Sequence, residues 1–210
     1  MQKEFFTEES HETKKYSISF LAANVFAFLY SLPFLLLFGL MFIGTVVIKT
    51  AAIQSPVLFQ ETENTFIFLA LYIVIVFILV VLHEFLHALF FLRGCENRWK
   101  SIKFGVKSST PYCHCEEILS VAQYRKSLFA PLWFLCLPLS ILASVSGSVL
   151  LVLLAITMIV GSGGDLYIAF VLRKYSGETT FVYDLVDEVG CQVYIPRESK
   201  LSVESEIDTM

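Results

Sequence analysis

The sequence predicts an all-α membrane protein with about four transmembrane helices and a cytoplasmic loop that contains strands. Of its 210 residues, 56% are hydrophobic and only 16% are charged, with a mean hydropathy of +0.71. Soluble domains have about 45–50% apolar and about 25% charged residues, so a soluble chain of this length could not bury so much apolar surface. The apolar residues also gather in four long runs. This composition excludes disorder, a coiled coil and a small protein held together by disulfides. The net charge of -4 argues against binding to nucleic acid.

The four apolar runs define the predicted spans, because a helix needs about 20 apolar residues to cross a bilayer. The first run, residues 18–48, is long enough to require a tilt or a kink, and Pro33 is the predicted kink point. The second run covers residues 66–92. The third run begins near Leu128 and ends in the Ser- and Gly-containing segment 144–148, and the fourth covers residues 149–172. Only a short Ser/Gly turn separates the last two runs, so we expect them to form an antiparallel helical hairpin.

The basic residues predict the orientation of these spans. Of the 15 Lys and Arg residues, 14 lie before the first span, in the loop of residues 93–127 or after the last span, and only Lys49 lies elsewhere. Basic residues favour the cytoplasmic side, so both termini are predicted to be cytoplasmic in a multi-pass protein of the cell membrane. The chain then divides into a polar N-terminal tail (1–17), a membrane domain (18–172) and a cytoplasmic C-terminal tail (173–210). Its predicted partner is the lipid bilayer.

The loop and the C-terminal tail carry strand patterns. Alternating apolar and polar residues predict strands, and the Ser108–Pro111 segment has the composition of a turn. Ser120 has the spacing of a capping box, which predicts a helix that begins there and leads to Pro131. The predicted strands are residues 101–107 and 112–119. Residues 181–186 and 191–195 are predicted to be short strands or a docked tail.

The second span contains the sequence His83-Glu84-Phe85-Leu86-His87. Positions i and i+4 share one face of a helix, so the two imidazoles can coordinate one zinc ion while Glu84 acts as general base. A charge at the centre of a bilayer costs about 2.5–3.5 kcal/mol, so ionisable residues within a span indicate function. The alternative is a hydrated helix end, because His87 lies close to the end of the run at Leu92.

Asp165 is the predicted third zinc ligand. It is the only acidic residue in the other spans, and its distance from Arg173 places it between His83 and His87 in depth. A catalytic zinc commonly has three protein ligands and one water, and an unpaired buried carboxylate would be costly. The alternative is an Asp that caps a helix break or forms a hydrogen bond in a glycine-rich kink.

The five cysteines permit a second metal site but do not favour it. Four of them fall in predicted cytoplasmic segments, where disulfides are not expected. A site at Cys113-His114-Cys115 would also need Cys95 or Cys191, and the spacing fits no zinc-ribbon pattern. Free thiols on a half-buried strand are the favoured interpretation. His114 is expected to be an ordinary surface histidine, and Asp184, Asp187 and Glu188 are expected to form a solvated face.

The H-E-F-L-H sequence in one span and an Asp in a later span resemble the site-2 protease class of intramembrane zinc metalloproteases. The chain more closely resembles a family of small bacterial membrane proteins labelled "putative zincin peptidases", over roughly residues 66–196. The resemblance implies a zinc site near the cytoplasmic face and a strand-rich loop that pairs with an unwound substrate segment. The matching features are His83-Glu84-x-x-His87, Lys103 to Val106, Tyr112-Cys113, Tyr124 to Pro131, Gly164-Asp165 and Asp184 to Gly190.

The residues and the resemblance together predict an intramembrane zinc metalloprotease. It would hydrolyse a peptide bond of a membrane or membrane-associated protein near the cytoplasmic face, with Glu84 catalytic and His83, His87 and Asp165 holding zinc. The alternative is a zinc-binding membrane scaffold or regulator without proteolytic activity, although the retained Glu84 argues against a purely structural site. A metal transporter is a third possibility, but four spans are few and the two halves share no matching polar residues.

Overall fold

The computed structural model describes residues 10–53, 64–107, 110–185 and 189–197. The chain is mostly helical with antiparallel strands, and the described part contains four helices that are long and apolar enough to cross a membrane. The strands are β1 (His11–Ile18), β2 (Ile102–Lys107), β3 (Thr110–Cys115), β4 (Leu119–Ser120), β5 (Phe181–Asp184) and β6 (Val189–Pro196). The helices are α1 (Phe20–Ile53), α2 (Thr65–Phe91), α3 (Val121–Pro131), α4 (Leu137–Ser146), α5 (Val149–Gly161) and α6 (Gly163–Leu172).

The helix ends follow local chemistry that the sequence carries. The side chain of Asn64 caps α2 by accepting hydrogen bonds from the backbone N–H groups of Phe66 and Ile67. The Ser120 hydroxyl accepts from the Gln123 backbone N–H at the start of α3, which confirms the predicted helix start. Gly147 ends α4 with a positive φ of 73°, a conformation that glycine adopts without steric cost. This turn joins α4 to α5, and the two helices pack together as the predicted hairpin.

The third candidate span begins earlier than the apolar run suggested. Helix α3 continues through Pro131 into a π-helical turn at Leu132–Cys136 and then into α4, so the helix covers Val121–Ser146. Pro131 has no N–H to donate, and a π turn is one way in which a helix continues past such a break. The helix predicted to begin at Ser120 and the apolar run that begins near Leu128 thus form one continuous helix.

A four-stranded antiparallel sheet in the order β1-β6-β5-β4 joins distant parts of the chain. It brings together the segment before α1, the segment after α6 and the connection between α2 and α3. Strands β5 and β6 confirm the predicted strands of the C-terminal tail, whereas β1 lies in a segment that the sequence predicted only as a polar tail.

A separate hairpin follows α2. Strands β2 and β3 pair in antiparallel register, with Ile102 opposite Cys115 and Lys103 opposite His114. The strand predicted at residues 101–107 is confirmed, and its predicted partner within 112–119 begins and ends a few residues earlier. Ser108 and Ser109 of the predicted turn lie outside the described residues.

The described residues form two hydrophobic cores. One lies between the helix ends and the sheet, around Phe91, Val121, Leu172 and Val182, and the other lies among the helices around Phe38, Leu135 and Met158. The most apolar stretch of α2 has no buried residue. The buried residues of α2 all fall in its last third, which packs against the first core; they are His83, His87, Ala88 and Phe91.

Gly163 allows α6 to approach α1 closely. A Cβ atom built on Gly163 would lie 1.8 Å from the backbone oxygen of Ala27, whereas one built on Gly164 would meet nothing within 4 Å. Only a residue without a side chain fits against the α1 backbone here. The contact fixes the start of α6, two residues before Asp165.

Gly163→Ala should therefore lower the stability of the protein, because the methyl group forces α1 and α6 apart. We expect a cost of about 1–3 kcal/mol, the usual range for overpacking. Thermal unfolding in detergent measures it, with Gly164→Ala as the matched control in the same helical turn. A melting temperature for Gly163→Ala equal to that of Gly164→Ala would contradict the close approach.

Candidate metal centre

Three donor atoms from two helices converge on one point. Nε2 of His83 lies 3.1 Å from Nε2 of His87, and Oδ2 of Asp165 lies 3.2 Å from the first nitrogen and 3.3 Å from the second. Both histidines are buried, and the Asp165 side chain is 21% exposed. Within the described part of the chain, this is the one group of three His, Cys, Asp or Glu residues whose ligand atoms lie close enough to hold a metal ion.

The backbone of α3 orients His87. Nδ1 of His87 lies 2.9 Å from the carbonyl oxygen of Ser127, and the Ser127 hydroxyl donates a 3.0 Å hydrogen bond to the carbonyl oxygen of His87. A carbonyl only accepts, so Nδ1 must carry the proton. Nε2 is then unprotonated and directs its lone pair towards His83 and Asp165. A second hydrogen bond of this kind fixes the ring orientation of metal-binding histidines.

The donor set fits zinc. In a tetrahedral site with zinc–nitrogen and zinc–oxygen bonds of about 2.0–2.1 Å, the ligand atoms lie about 3.3 Å apart, close to all three distances of this triangle. Two imidazoles and one carboxylate are also a ligand set known from catalytic zinc sites. Nδ1 of His83 is buried and has no hydrogen-bond partner among the described residues. The three residues would hold one zinc ion and leave a position open.

A cavity of about 280 Å³ opens beside this triangle. Its wall includes His83, Glu84, His87 and Asp165, together with residues 111–114 of β3. Glu84 is one residue from His83 and half-buried, and its carboxylate accepts a hydrogen bond from the backbone N–H of Cys113. The predicted base of the motif therefore shares one cavity with the three candidate ligands.

The cavity also has a polar pair that the sequence did not predict. The Tyr124 hydroxyl donates a 3.0 Å hydrogen bond to Oδ1 of Asp184, and both residues line the cavity. Burial raises the pKa of Asp184 to about 7. The expectation of a solvated face is wrong for Asp184, because β5 places its side chain against Tyr124 of α3. Asp187 and Glu188 lie outside the described residues.

The expectation that His114 is a surface histidine is also wrong. His114 is 5% exposed, and neither ring nitrogen has a hydrogen-bond partner in the described part of the chain. It packs beside Tyr112 on β3, and burial lowers its pKa, so the ring is neutral at pH 7. A period of two along a strand could have placed His114 and Tyr112 on the same face, but no local signal shows that this face is covered.

The Cys113-His114-Cys115 segment has the strand geometry that the sequence suggested, and it takes part in no cluster of metal ligands among the described residues. Cys115 is buried and Cys113 is half-buried. Burial and the nearby charge of Glu84 raise the pKa of Cys113, which keeps it a thiol rather than the thiolate that zinc binds. The favoured interpretation of free thiols agrees with this arrangement.

The fold and the site define a helical protein with an H-E-x-x-H motif at the buried end of one helix, where three side chains could hold a metal ion. Residues 76–179 match the model of a family described as "putative zincin peptidase", the family that the sequence resemblance predicted. The matched segment includes the motif and Asp165. Comparison with the curated proteins and with the solved structures gave no match.

Proposed function

We propose that the protein is an intramembrane zinc metalloprotease that hydrolyses a peptide bond of a membrane or membrane-associated protein near the cytoplasmic face. The observation that carries this proposal is the triangle of His83, His87 and Asp165 in the wall of a cavity that also contains Glu84. The family match supports a zinc peptidase at the coarser level.

The roles of the residues follow from their positions. His83, His87 and Asp165 hold the ion, and the Ser127 carbonyl keeps Nε2 of His87 free to bind it. Bound zinc would polarise the scissile carbonyl and lower the pKa of water to about 7. The Glu84 carboxylate takes a proton from the attacking water and passes it to the nitrogen of the leaving amine. The hydrogen bond from Cys113 holds this carboxylate at the cavity wall.

Strand β3 offers a place for an extended substrate. It pairs only with β2 in the described part of the chain, and its residues 111–114 line the cavity. A peptide bond in a helix is shielded by its own hydrogen bonds, so a substrate must unwind before hydrolysis. An unwound segment can then pair with an exposed strand edge through its backbone.

A bilayer location agrees with the distribution of apolar surface. The apolar stretch of α2 that has no buried residue would be costly in water, and hydrocarbon is the environment that suits it. The β1-β6-β5-β4 sheet gathers the N-terminal segment, the α2–α3 connection and the C-terminal segment at one end. These are the segments that carry 14 of the 15 basic residues, so we assign this end to the cytoplasm.

Reporter fusions test the orientation. A fusion after Ser108, which follows β2 in the sequence, should report the cytoplasm, and a fusion after Thr62, which lies between α1 and α2 in the sequence, should report the opposite side. A fluorescent-protein fusion and an alkaline-phosphatase fusion at each site give opposite signals and serve as mutual controls. A cytoplasmic signal at Thr62 would overturn either the number of spans or their direction.

Glu84→Gln tests the catalytic proposal, because it keeps the size of the side chain and removes the base. Wild type and Glu84→Gln should both bind about one zinc per chain, but hydrolysis should fall by about 10²–10⁴-fold, the usual contribution of a general base. Asp165→Asn should lose both zinc and hydrolysis. Zinc is measured by elemental analysis, and hydrolysis by mapping new N termini in membranes of cells that express each variant.

The outcomes separate the protease from the zinc-binding scaffold or regulator. New N termini in wild-type membranes that are absent with Glu84→Gln support the enzyme. Identical N termini in both, with zinc bound in both, would contradict proteolysis and favour the scaffold. Loss of zinc from Glu84→Gln would instead show that Glu84 is a ligand and that the assigned roles are wrong.

A further inference from the structure

Two cysteine thiols, those of Cys95 and Cys115, are in contact. Cys95 lies in the turn after α2, Cys115 is the last residue of β3, and their Sγ atoms are 2.7 Å apart. Both side chains belong to the core between the helix ends and the sheet, with 7% and 1% exposure. A disulfide bond is about 2.05 Å long, so a movement of less than about 1 Å would join the two sulfur atoms.

The surrounding backbone holds the thiols in this position. Ile102 pairs with Cys115 across the β2–β3 hairpin, and the Glu117 backbone N–H donates to the Cys115 sulfur at 3.4 Å. The Glu117 carboxylate accepts hydrogen bonds from the backbone N–H groups of Glu96 and Asn97, at 2.7 and 2.9 Å. The residues next to Cys95 are thus tied to the residues next to Cys115, and the two sulfur atoms cannot drift apart without breaking this network.

The two thiols differ in acidity. The hydrogen bond between them lowers the pKa of Cys115, whereas the same hydrogen bond and burial raise the pKa of Cys95. Because the Cys115 sulfur also accepts the hydrogen bond from the Glu117 backbone N–H, we take Cys115 as the nucleophile of the pair. By comparison, the sulfur of the buried Cys136 lies 3.4 Å from a hydroxyl group, that of Ser162, rather than from a second thiol.

We propose that Cys95 and Cys115 form a reversible dithiol–disulfide site that a small peroxide oxidises. A water-sized oxidant suits the burial of both sulfur atoms. Such a pair stays reduced in a reducing compartment and forms its disulfide only under oxidising conditions. The inference does not depend on the proposed proteolysis.

The chemistry balances in two steps. Cys115 loses its proton, and its thiolate attacks one oxygen of hydrogen peroxide. The O–O bond breaks, the leaving hydroxide takes up that proton to form water, and Cys115 becomes a sulfenic acid. The Cys95 sulfur then attacks the Cys115 sulfur, the S–O bond breaks, and the departing hydroxide takes the Cys95 proton to form water. Overall, two thiols transfer two electrons to one peroxide and yield one disulfide and two waters. A thiol reductant reverses the bond by exchange.

Oxidation would fix β3 to the end of the helix that carries the metal centre. The disulfide would join the turn after α2 to the end of β3, whose Cys113 donates to Glu84. The wall of the cavity would then be covalently attached to the motif helix. We expect the backbone of β3 to open less often in the oxidised protein.

Peroxide treatment of the purified full-length protein tests this site. After treatment, denaturation and alkylation, wild type should lose two of its five reactive thiols and give a linked peptide pair that contains Cys95 and Cys115. Dithiothreitol should restore both thiols. Cys95→Ser should abolish the link, whereas Cys191→Ser, which removes another buried cysteine, should keep it.

Hydrogen–deuterium exchange measures the consequence. Amide exchange in β3 should be several-fold slower in the oxidised wild type than in the reduced protein, with no such change in Cys95→Ser. If wild-type Cys95 and Cys115 stay open to alkylation after peroxide, or another cysteine pair forms the link, the site is not the one proposed. Equal exchange in β3 before and after disulfide formation would contradict the fixed cavity wall. The wild-type measurements decide both questions even if Cys95→Ser does not fold.

Discussion

Three electron-pair donors, Nε2 of His83, Nε2 of His87 and Oδ2 of Asp165, lie about 3 Å from one another in a mostly buried place. Lone pairs repel at this distance, so the arrangement calls for a cation or for shared protons. Two of the donors come from one helical turn and need only α2. The third comes from α6, about 80 residues later, and the packing of the whole helical part serves to bring it there.

The rest of the fold can be understood as support for that convergence. Gly163 lets α6 lie directly on the α1 backbone, Ser127 of α3 holds the ring of His87, and β3 places a backbone N–H on Glu84. The sheet then ties the three polar segments of the chain together at the end of the molecule where the site lies. The helix that carries the motif is buried only where these elements meet it.

The sequence predicted the features that depend on local pattern. The i, i+4 spacing of His83 and His87 and the apolar runs need no knowledge of the fold, and depth along two spans was enough to place Asp165 near them. Features made by distant pairing were missed. Strand β1 is polar and forms only because β6 pairs with it from the other end of the chain, and the burial of His114 and Asp184 depends on covering elements that no local pattern reveals.

The central claim is that this chain binds zinc through two histidines and a carboxylate rather than through its cysteines. X-ray absorption at the zinc edge of the purified protein, loaded with one equivalent of zinc, tests it most directly. We predict nitrogen and oxygen neighbours at about 2.0–2.1 Å and no sulfur. Sulfur neighbours at about 2.3 Å would contradict the account, because they would place the metal on the cysteines of the loop.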